Sequence, residues 1–284
     1  MQTILDNERV NMSAPKISVV LPTYNGAATL ADAVRSILNQ TFQDMELIVV
    51  DDASSQDINA VLEEFKGDEK LRYIRNDSNI GLAASINAGV AAAKGRYIAR
   101  MDDDDFSVSI RLETQLEFLD AHTDVDVVGG GIALYDRDLN YIRDHMFPSE
   151  HEEIVRFLCR GNNPLAHPSV MFRREFFDRA GGYNASLRRV EDLELWGRMA
   201  LTCRYANIPQ VLLRHRIRHA KTLKVVRFGV KYRLRNGLLL GCFPTALFWT
   251  SLYVVIEVMR HMGYRQRAFR PLQTEDGQSI GFSD

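Results

Sequence analysis

The sequence predicts an α/β protein with an open, doubly wound and mostly parallel sheet, followed by a helical extension that is both basic and apolar. Three observations lead to this fold class. Short apolar runs alternate with segments of helical periodicity, polar residues follow most of these runs, and the balance of charge reverses late in the chain. The length of 284 residues allows one large domain or two small ones. A composition of 46% hydrophobic and 25% charged residues excludes a disordered or fibrous chain.

Four apolar runs are predicted strands, and the segments between them are predicted helices. The runs are ISVVL, LIVV, LRYIR and RYIARM, at residues 17–21, 47–50, 71–75 and 96–101. The first helix places Leu30, Ala33, Val34 and Ile37 on one face. The second helix ends near Phe65, and the third covers residues 82–93. Beyond Phe106 we expect helices near residues 108–120, 152–159 and 193–201, and an apolar run at 125–134.

Polar clusters stand at the carboxyl ends of three predicted strands. They are PTYNG at residues 22–26, Asp51-Asp52, and the four aspartates from Asp102 to Asp105. In open α/β sheets, ligands bind beyond the carboxyl ends of the strands. The sequence therefore predicts a polar, carboxylate-rich pocket along one edge of the sheet.

Four consecutive aspartates at the end of a buried strand repel one another, so they need a cation or protons. Alternation along a strand would point Asp102 and Asp104 toward one ion. Mg²⁺ or Mn²⁺ fits this pattern, because each typically binds one or two carboxylates and completes its coordination shell with water and phosphate oxygens. The alternative is a solvated turn whose aspartates cap the helix that follows.

Other phosphate-binding devices are absent from the sequence or incomplete. There is no GxxxxGK[ST] segment, and the turn after the first strand is PTYNG rather than GxGxxG. Gly129 to Gly131 resemble half of a dinucleotide fingerprint, but Leu134 stands where the last glycine should be. We interpret these glycines as a bulge or a point of close packing.

An ordered set of segments resembles the inverting glycosyltransferase family 2, which has the GT-A fold. The segments are PTYN at 22–25, VDD at 50–52, NIG at 79–81, YIARMDDDD at 97–105, HPSVMFRR at 167–174, GGY at 181–183 and EDLELWGR at 191–198. The resemblance covers about residues 16 to 218. It implies a nucleoside diphosphate sugar as donor, a divalent metal, and transfer to a hydroxyl group with inversion.

The resemblance also assigns residues. Asp102 and Asp104 would bind the metal, although the run of four aspartates also allows the DxD frame to be read from Asp103. Asp52 would accept a hydrogen bond from a uracil-type imide. The donor would be contacted by Pro22, Thr23, Tyr24, Asn25, Asp52, Asn79, Gly81 and Asp103. A helix cap is the alternative role for Asp52, and an ordinary turn aromatic is the alternative for Tyr24.

Glu191 and Asp192, at the start of a predicted helix, are the candidate catalytic residues. An inverting displacement needs one carboxylate to accept the proton of the attacking hydroxyl. The resemblance favours Asp192 over Glu191 for this role. The alternative is that both acids only complement the helix dipole. His167 has two alternative roles, which are a contact with the diphosphate or the metal and a purely structural role.

The charge of the chain is divided unevenly. Through Glu194 the sequence has 20 Lys and Arg against 33 Asp and Glu, and beyond it 15 against 4. Residues 236–256 then carry no charge over 21 positions. This pattern predicts contact with a membrane surface, by an interfacial helix pair rather than one span. A buried helix is the alternative, and the uncharged run argues against nucleic acid as a partner.

These observations predict three regions: an N-terminal extension at 1–15, a glycosyltransferase domain at 16–218 and the extension at 219–284. The partners would be a nucleotide-sugar donor and a glycan or lipid-linked acceptor, and the cofactor would be Mg²⁺ or Mn²⁺. A nucleotidyltransferase and a non-catalytic sugar-nucleotide binding module are the alternatives. Three scattered cysteines, interpreted as buried and unpaired, and the lack of a signal sequence predict a cytoplasmic protein at the membrane face.

Overall fold

The computed structural model of the chain describes residues 14–217 and 223–261. Within this part, nine strands form one sheet in the order β3-β2-β1-β4-β8-β6-β9-β5, and β7 pairs with β6. The strands are β1 Ile17–Thr23, β2 Met45–Asp51, β3 Leu71–Arg75, β4 Tyr97–Arg100, β5 Phe106–Ser107, β6 Val127–Tyr135, β7 Tyr141–His145, β8 Met171–Arg173 and β9 Tyr205–Arg216.

Helices connect these strands and cover the sheet. They are α1 Leu30–Leu38, α2 Ile58–Leu62, α3 Leu82–Ala92, α4 Arg111–Ala121, α5 His151–Cys159, α6 Arg174–Ala180, α7 Glu191–Met199, α8 Leu223–Leu239 and α9 Phe243–His261. The helix predicted near residues 193–201 is α7, which begins two residues earlier. The strand predicted to end before Pro22 continues through it to Thr23, and Pro22 is buried.

The sheet is mixed but mostly parallel, as predicted: six of the nine described strands, β1, β2, β3, β4, β6 and β9, run in one direction, and β5, β7 and β8 run in the other. The pairs β1–β2, β2–β3 and β1–β4 are parallel, as the alternating pattern predicted. Beyond β4 the sheet continues through antiparallel pairs to β8 and β6. The strands after Phe106 are separated by irregular segments rather than by regular crossover helices, so their direction could not be inferred from the pattern.

Two apolar cores confirm that helices cover both faces of the sheet. Alternate residues of β1 divide between them: Val19 packs with α1 and α4, whereas Val20 packs with α3, α6 and α7. Both side chains are fully buried. The register of β6 against β9 shifts at Gly130 and Gly131, which confirms the bulge predicted there.

The C-terminal helices α8 and α9 form a pair, and the uncharged run 236–256 is divided between them. A turn at residues 240–242 separates the two helices. Among the described residues, no helix is long and apolar enough to cross a membrane. The cations at Arg218, Lys221, Arg265, Arg267 and Arg270 and most of the predicted N-terminal extension lie outside the described residues.

Helix α8 packs closely on α7. Arg235 donates to the buried Glu194 at 3.0 Å, and Asn236 Nδ2 donates to the Leu193 carbonyl at 2.9 Å. Asn236 is fully buried against Gly197, where an added Cβ would lie 2.1 Å from its Oδ1. The domain limits 16–218 and 219–284 stay a prediction, but the beginning of the extension is in contact with the preceding domain.

Two of the cysteines are paired, which corrects the interpretation that all three are free, so the cysteines no longer support a cytoplasmic location. Cys159 at the end of α5 and Cys242 before α9 form a disulfide, with their Cα atoms 5.9 Å apart. The two residues are 83 positions apart in sequence, so their approach depends on how α8 packs and has no signature in the spacing. Cys203 is free and buried, as expected.

Two helical glycines test the contact between α7 and α8. In Gly197→Ala the new methyl group would clash with Asn236, so we expect a loss of about 1–3 kcal/mol in the free energy of unfolding. The matched control is Gly229→Ala in α8, where the nearest atom is 3.9 Å away and alanine should gain about 0.5–1 kcal/mol. Urea denaturation measures both. Equal effects of the two substitutions would contradict the described packing.

Candidate active site

Three aspartates after β4 form the candidate metal site. Asp102, Asp104 and Asp105 each offer an oxygen, and these oxygens lie within 4.8 Å of one another. The segment is a turn rather than the end of a strand, so the predicted neighbours Asp102 and Asp104 converge by turning and not by alternation. Asp105, which was not among the predicted ligands, joins them.

Asp103 points away from this cluster toward β1. Its Oδ2 accepts a hydrogen bond of 2.6 Å from the Thr23 hydroxyl. Gly26 makes this approach possible, since a Cβ at that position would lie 2.0 Å from the same oxygen. The turn therefore joins two of the predicted donor contacts, Thr23 and Asp103, and separates Asp103 from the carboxylates of the candidate metal site.

The end of β9 holds Asp105 in place. His215 Nδ1 lies 3.1 Å from the Asp105 carboxylate, and the backbone N–H of Arg216 donates to it at 3.0 Å. Burial raises the pKa of Asp105, and the neighbouring carboxylates add to this effect, while His215 opposes it. A buried carboxylate beside two others is stabilised by a cation.

A buried arginine lies between the aspartate turn and the candidate base. Arg100, the last residue of β4, is 2% exposed, and its Nη2 is 2.5 Å from Asp102 Oδ1. Its Nε and Nη1 are buried without a hydrogen-bond partner. The charge of Arg100 also opposes the rise that burial causes in the pKa of Glu191 and of Asp192, which places the guanidinium within electrostatic reach of both.

Glu191 and Asp192 begin α7 but occupy different environments. Glu191 is 6% exposed, and burial followed by the charge of Asp192 raises its pKa to about 7. Asp192 is only partly buried, and its Oδ2 accepts a 2.6 Å hydrogen bond from Asn163. Burial also raises the pKa of Asp192, against the hydrogen bonds from Leu193 and Asn163. Of the two acids, Asp192 is the one that solvent can reach.

His167 lies behind this pair. Its Nε2 is 2.9 Å from the Tyr183 hydroxyl, and its Nδ1 is 3.9 Å from Glu191. Burial and the nearby Arg100 lower the pKa of His167 well below its usual range, so the ring is neutral. Through these contacts with Tyr183 and Glu191, His167 supports the first turn of α7.

The loop before α3 is organised by Asp52. Its two carboxylate oxygens accept hydrogen bonds of 2.8 Å from the backbone N–H groups of Ile80 and Gly81. The side chain therefore fixes the turn at the positive φ of Gly81. This is a local structural role, close to the helix-cap alternative, and the contact with a uracil imide stays a prediction.

The other predicted donor residues surround this loop. Asn79 accepts a 2.9 Å hydrogen bond from Arg188, in the segment before α7. Asn25 accepts from the backbone of Ser55 at 2.8 Å and so ties the first loop to the second. Tyr24 is 54% exposed and Pro22 is buried. The structure thus brings the predicted residues to one edge of the sheet.

The donor set fits a divalent metal. Carboxylate oxygens at these separations suit hard cations such as Mg²⁺ or Mn²⁺. Asp102, Asp104 and Asp105 are the residues that would hold it. Sequence reasoning missed Arg100, Asp105 and His215. Asp105 was visible in the aspartate run, but the roles of the two basic residues depend on how β4 and β9 meet the turn.

Comparison with known proteins assigns the chain to a family. A sequence model described as glycosyl transferase family 2 matches residues 18–181. The putative glycosyltransferase EpsE of Bacillus subtilis is 36% identical over 188 residues, which are 65% of this chain and 66% of EpsE. The O-antigen biosynthesis glycosyltransferase WbnJ of Escherichia coli is 32% identical over 73% of this chain and 82% of WbnJ.

Solved structures show the same fold at low identity. TarS 1–349 of S. aureus, in complex with UDP-GlcNAc, has a TM-score of 0.64 at 20% identity, over 82% of this chain and 72% of that one. The mannosyltransferase PcManGT of Pyrobaculum calidifontis, with GDP-Man and Mn²⁺, has a TM-score of 0.58 at 16% identity, over 89% and 82%. The chain belongs to glycosyl transferase family 2, and the prediction of a glycosyltransferase is confirmed.

The position of Arg100 predicts a large effect on stability. Arg100→Met removes the buried cation and leaves Asp102 and Glu191 without it, which should cost about 3–5 kcal/mol in the free energy of unfolding. The matched control is Lys16→Met, which breaks the exposed ion pair with Asp120 and should cost less than about 1 kcal/mol. Urea denaturation in EDTA compares them. A loss in Arg100→Met no larger than in the control would show that the buried pair contributes little.

Proposed function

We propose that the protein transfers a sugar from a nucleoside diphosphate sugar, of the UDP type, to a hydroxyl group of a polysaccharide or lipid-linked glycan, with inversion. The observation that supports this most is the grouping of Asp102, Asp104 and Asp105 beside Arg100, which in turn faces the acids of α7. Relatives named for O-antigen and amylovoran biosynthesis support a glycan acceptor. TarS and PcManGT support a nucleotide-sugar donor.

Asp192 is the proposed general base. It is partly exposed at the first turn of α7, where its carboxylate can accept the proton of an acceptor hydroxyl. Asn163 orients one oxygen by donating to it. Glu191 is buried, and its pKa of about 7 leaves it about half protonated at neutral pH, so it is less suited to this task.

On the donor side, Thr23 and Asp103 would contact the ribose, and the loop fixed by Asp52 would hold the base. Asp102 and Asp104, with Asp105, would hold Mg²⁺ or Mn²⁺. When bound, such an ion neutralises charge on a departing diphosphate. The chain itself supplies the arrangement of the carboxylates and the cation of Arg100 that balances part of their charge.

Substitution of Asp192, the proposed base, and of Asp104, a proposed metal ligand, tests this function. We expect Asp192→Asn to lower transfer by about 10²–10⁴-fold through loss of the base, and Asp104→Ala to lower it comparably. Glu191→Gln should lose less than Asp192→Asn. The measurement is release of nucleoside diphosphate from a panel of nucleotide sugars with Mn²⁺ and candidate acceptors.

The control is Asp124→Asn, whose side chain is 67% exposed and should leave the rate unchanged. Circular dichroism confirms that each variant is folded. Wild-type rates in both Asp104→Ala and Asp192→Asn would end the proposal. Binding of a nucleotide sugar without transfer to any acceptor would favour a non-catalytic binding module instead.

We also propose that α8 and α9 contact a membrane surface, on its cytoplasmic face. Large apolar side chains are exposed on these helices, at Leu238, Leu239, Leu247, Phe248 and Val255. The sequence from Leu195 to Ile256 has no acidic residue. Exposed apolar groups among cations are typical of interfacial helices that bind anionic lipid.

Vesicle sedimentation tests this contact. The full chain should bind vesicles that contain phosphatidylglycerol more tightly than phosphatidylcholine vesicles, and Leu247→Gln with Phe248→Gln should weaken binding at least about tenfold. The matched control is Leu201→Gln, because Leu201 is 71% exposed but lies outside α8 and α9. Equal loss in both variants, or no binding by the wild type, would contradict the proposal.

A further inference from the structure

A cavity lies beside the aspartate turn, on the side of β4 away from the predicted donor residues of β1, β2 and the loop before α3. Its volume is about 150 Å³, and it is lined by Asp104, Phe106, Tyr135, Leu139, Arg214 and Arg216. The predicted nucleoside contacts are on β1, β2 and the loop before α3. In the sheet order, β1 and β2 lie on one side of β4, and β6, β9 and β5 lie on the other.

The strand register places the cavity side chains on one face. Arg214 is paired with Phe106 of β5, and Arg216 is paired with Tyr135 of β6. Arg214 and Arg216 are two residues apart on β9, so their side chains emerge on the same side of the sheet. His215, between them, points to the opposite face, where it contacts Asp105. One strand thus contacts Asp105 of the candidate metal site through His215 on one face and lines the cavity with two arginines on the other.

The chemistry of the lining indicates the ligand. Two guanidinium groups face a single carboxylate, that of the proposed metal-binding Asp104. The Nε of Arg216 is buried without a hydrogen-bond partner. Arginine binds carboxylate and phosphate oxygens in a fork of two hydrogen bonds. The rings of Phe106 and Tyr135 add apolar surface of the kind that lines small-molecule sites.

We propose that this cavity is an acceptor subsite for a saccharide that carries a carboxylate or phosphate group, with Arg214 and Arg216 binding the anion. The inference rests on the proposed function, because it takes the donor to occupy the opposite side of Asp104. The volume suits one sugar residue rather than a whole chain. An anionic acceptor would be held at the same strand that positions Asp105, beside the proposed metal ligand Asp104.

Calorimetric titration of the full chain tests this subsite. The protein is first saturated with UDP and Mn²⁺, which occupies the proposed donor site, and is then titrated with glucose 1-phosphate, glucuronic acid or methyl glucoside. We expect at least one of the two anionic sugars to bind at least about tenfold more tightly than neutral methyl glucoside. The double variant Arg214→Gln with Arg216→Gln should remove this preference and leave its affinity for Mn²⁺ and UDP within about twofold of the wild type.

Two further variants keep the test decisive. Arg143→Gln, an exposed arginine of β7 outside the cavity, should keep the full preference. If the double variant does not fold, Arg214→Gln alone, at an exposed position, should lower the preference severalfold.

Three results would overturn the proposal. Equal binding of all three sugars would remove the anion site. A matching loss of affinity for UDP would assign the arginines to the donor diphosphate, and an equal loss in Arg143→Gln would indicate diffuse attraction. If the wild type binds no nucleoside diphosphate, the proposed function fails. Titration of the Mn²⁺-treated protein with the same three sugars then still shows whether the cavity prefers anionic sugars.

Discussion

The buried charge of Arg100 is the constraint on which the arrangement of the site depends. A guanidinium that is 2% exposed must be balanced nearby, and Asp102 provides the direct contact. Its position is fixed from behind by a second buried arginine, since Arg111 Nη2 donates to the Arg100 carbonyl at 2.6 Å. Acidic residues of the turn and of α7 can therefore lie near one another with less of the repulsion that they would otherwise exert.

Differences in burial and in neighbouring groups explain how the environments of Glu191 and Asp192 differ. Glu191 faces inward toward His167 and is pushed toward protonation, while Asp192 reaches solvent and is oriented by Asn163. Two adjacent carboxyls in different environments can hold different protonation states at one pH. The start of α7 is in turn held by the contact of Glu194 with Arg235, so α8 supports the candidate base from outside the sheet.

The sequence predicted the first half of the molecule well and the second half less well. The parallel strands β1 to β4 and their helices follow from local periodicity, and the aspartate turn follows from the way such strands end. Three features depend on residues that lie far apart in sequence. They are the pairing directions of β8 and β9, the disulfide, and the contact of His215 with Asp105. Local patterns contain no information on such pairings. Asp52 shows a different limit, because its motif was visible but its backbone hydrogen bonds to residues 80 and 81 were not.

The disulfide between Cys159 and Cys242 gives the C-terminal half a particular topology. It closes a covalent ring that contains α6, α7 and β9, and therefore both Asp192 and the two arginines of the cavity. The ring excludes β1 to β4, which carry the aspartate turn at their far end. A peptide bond hydrolysed anywhere within the ring would leave the two fragments attached to each other until a reductant separated them.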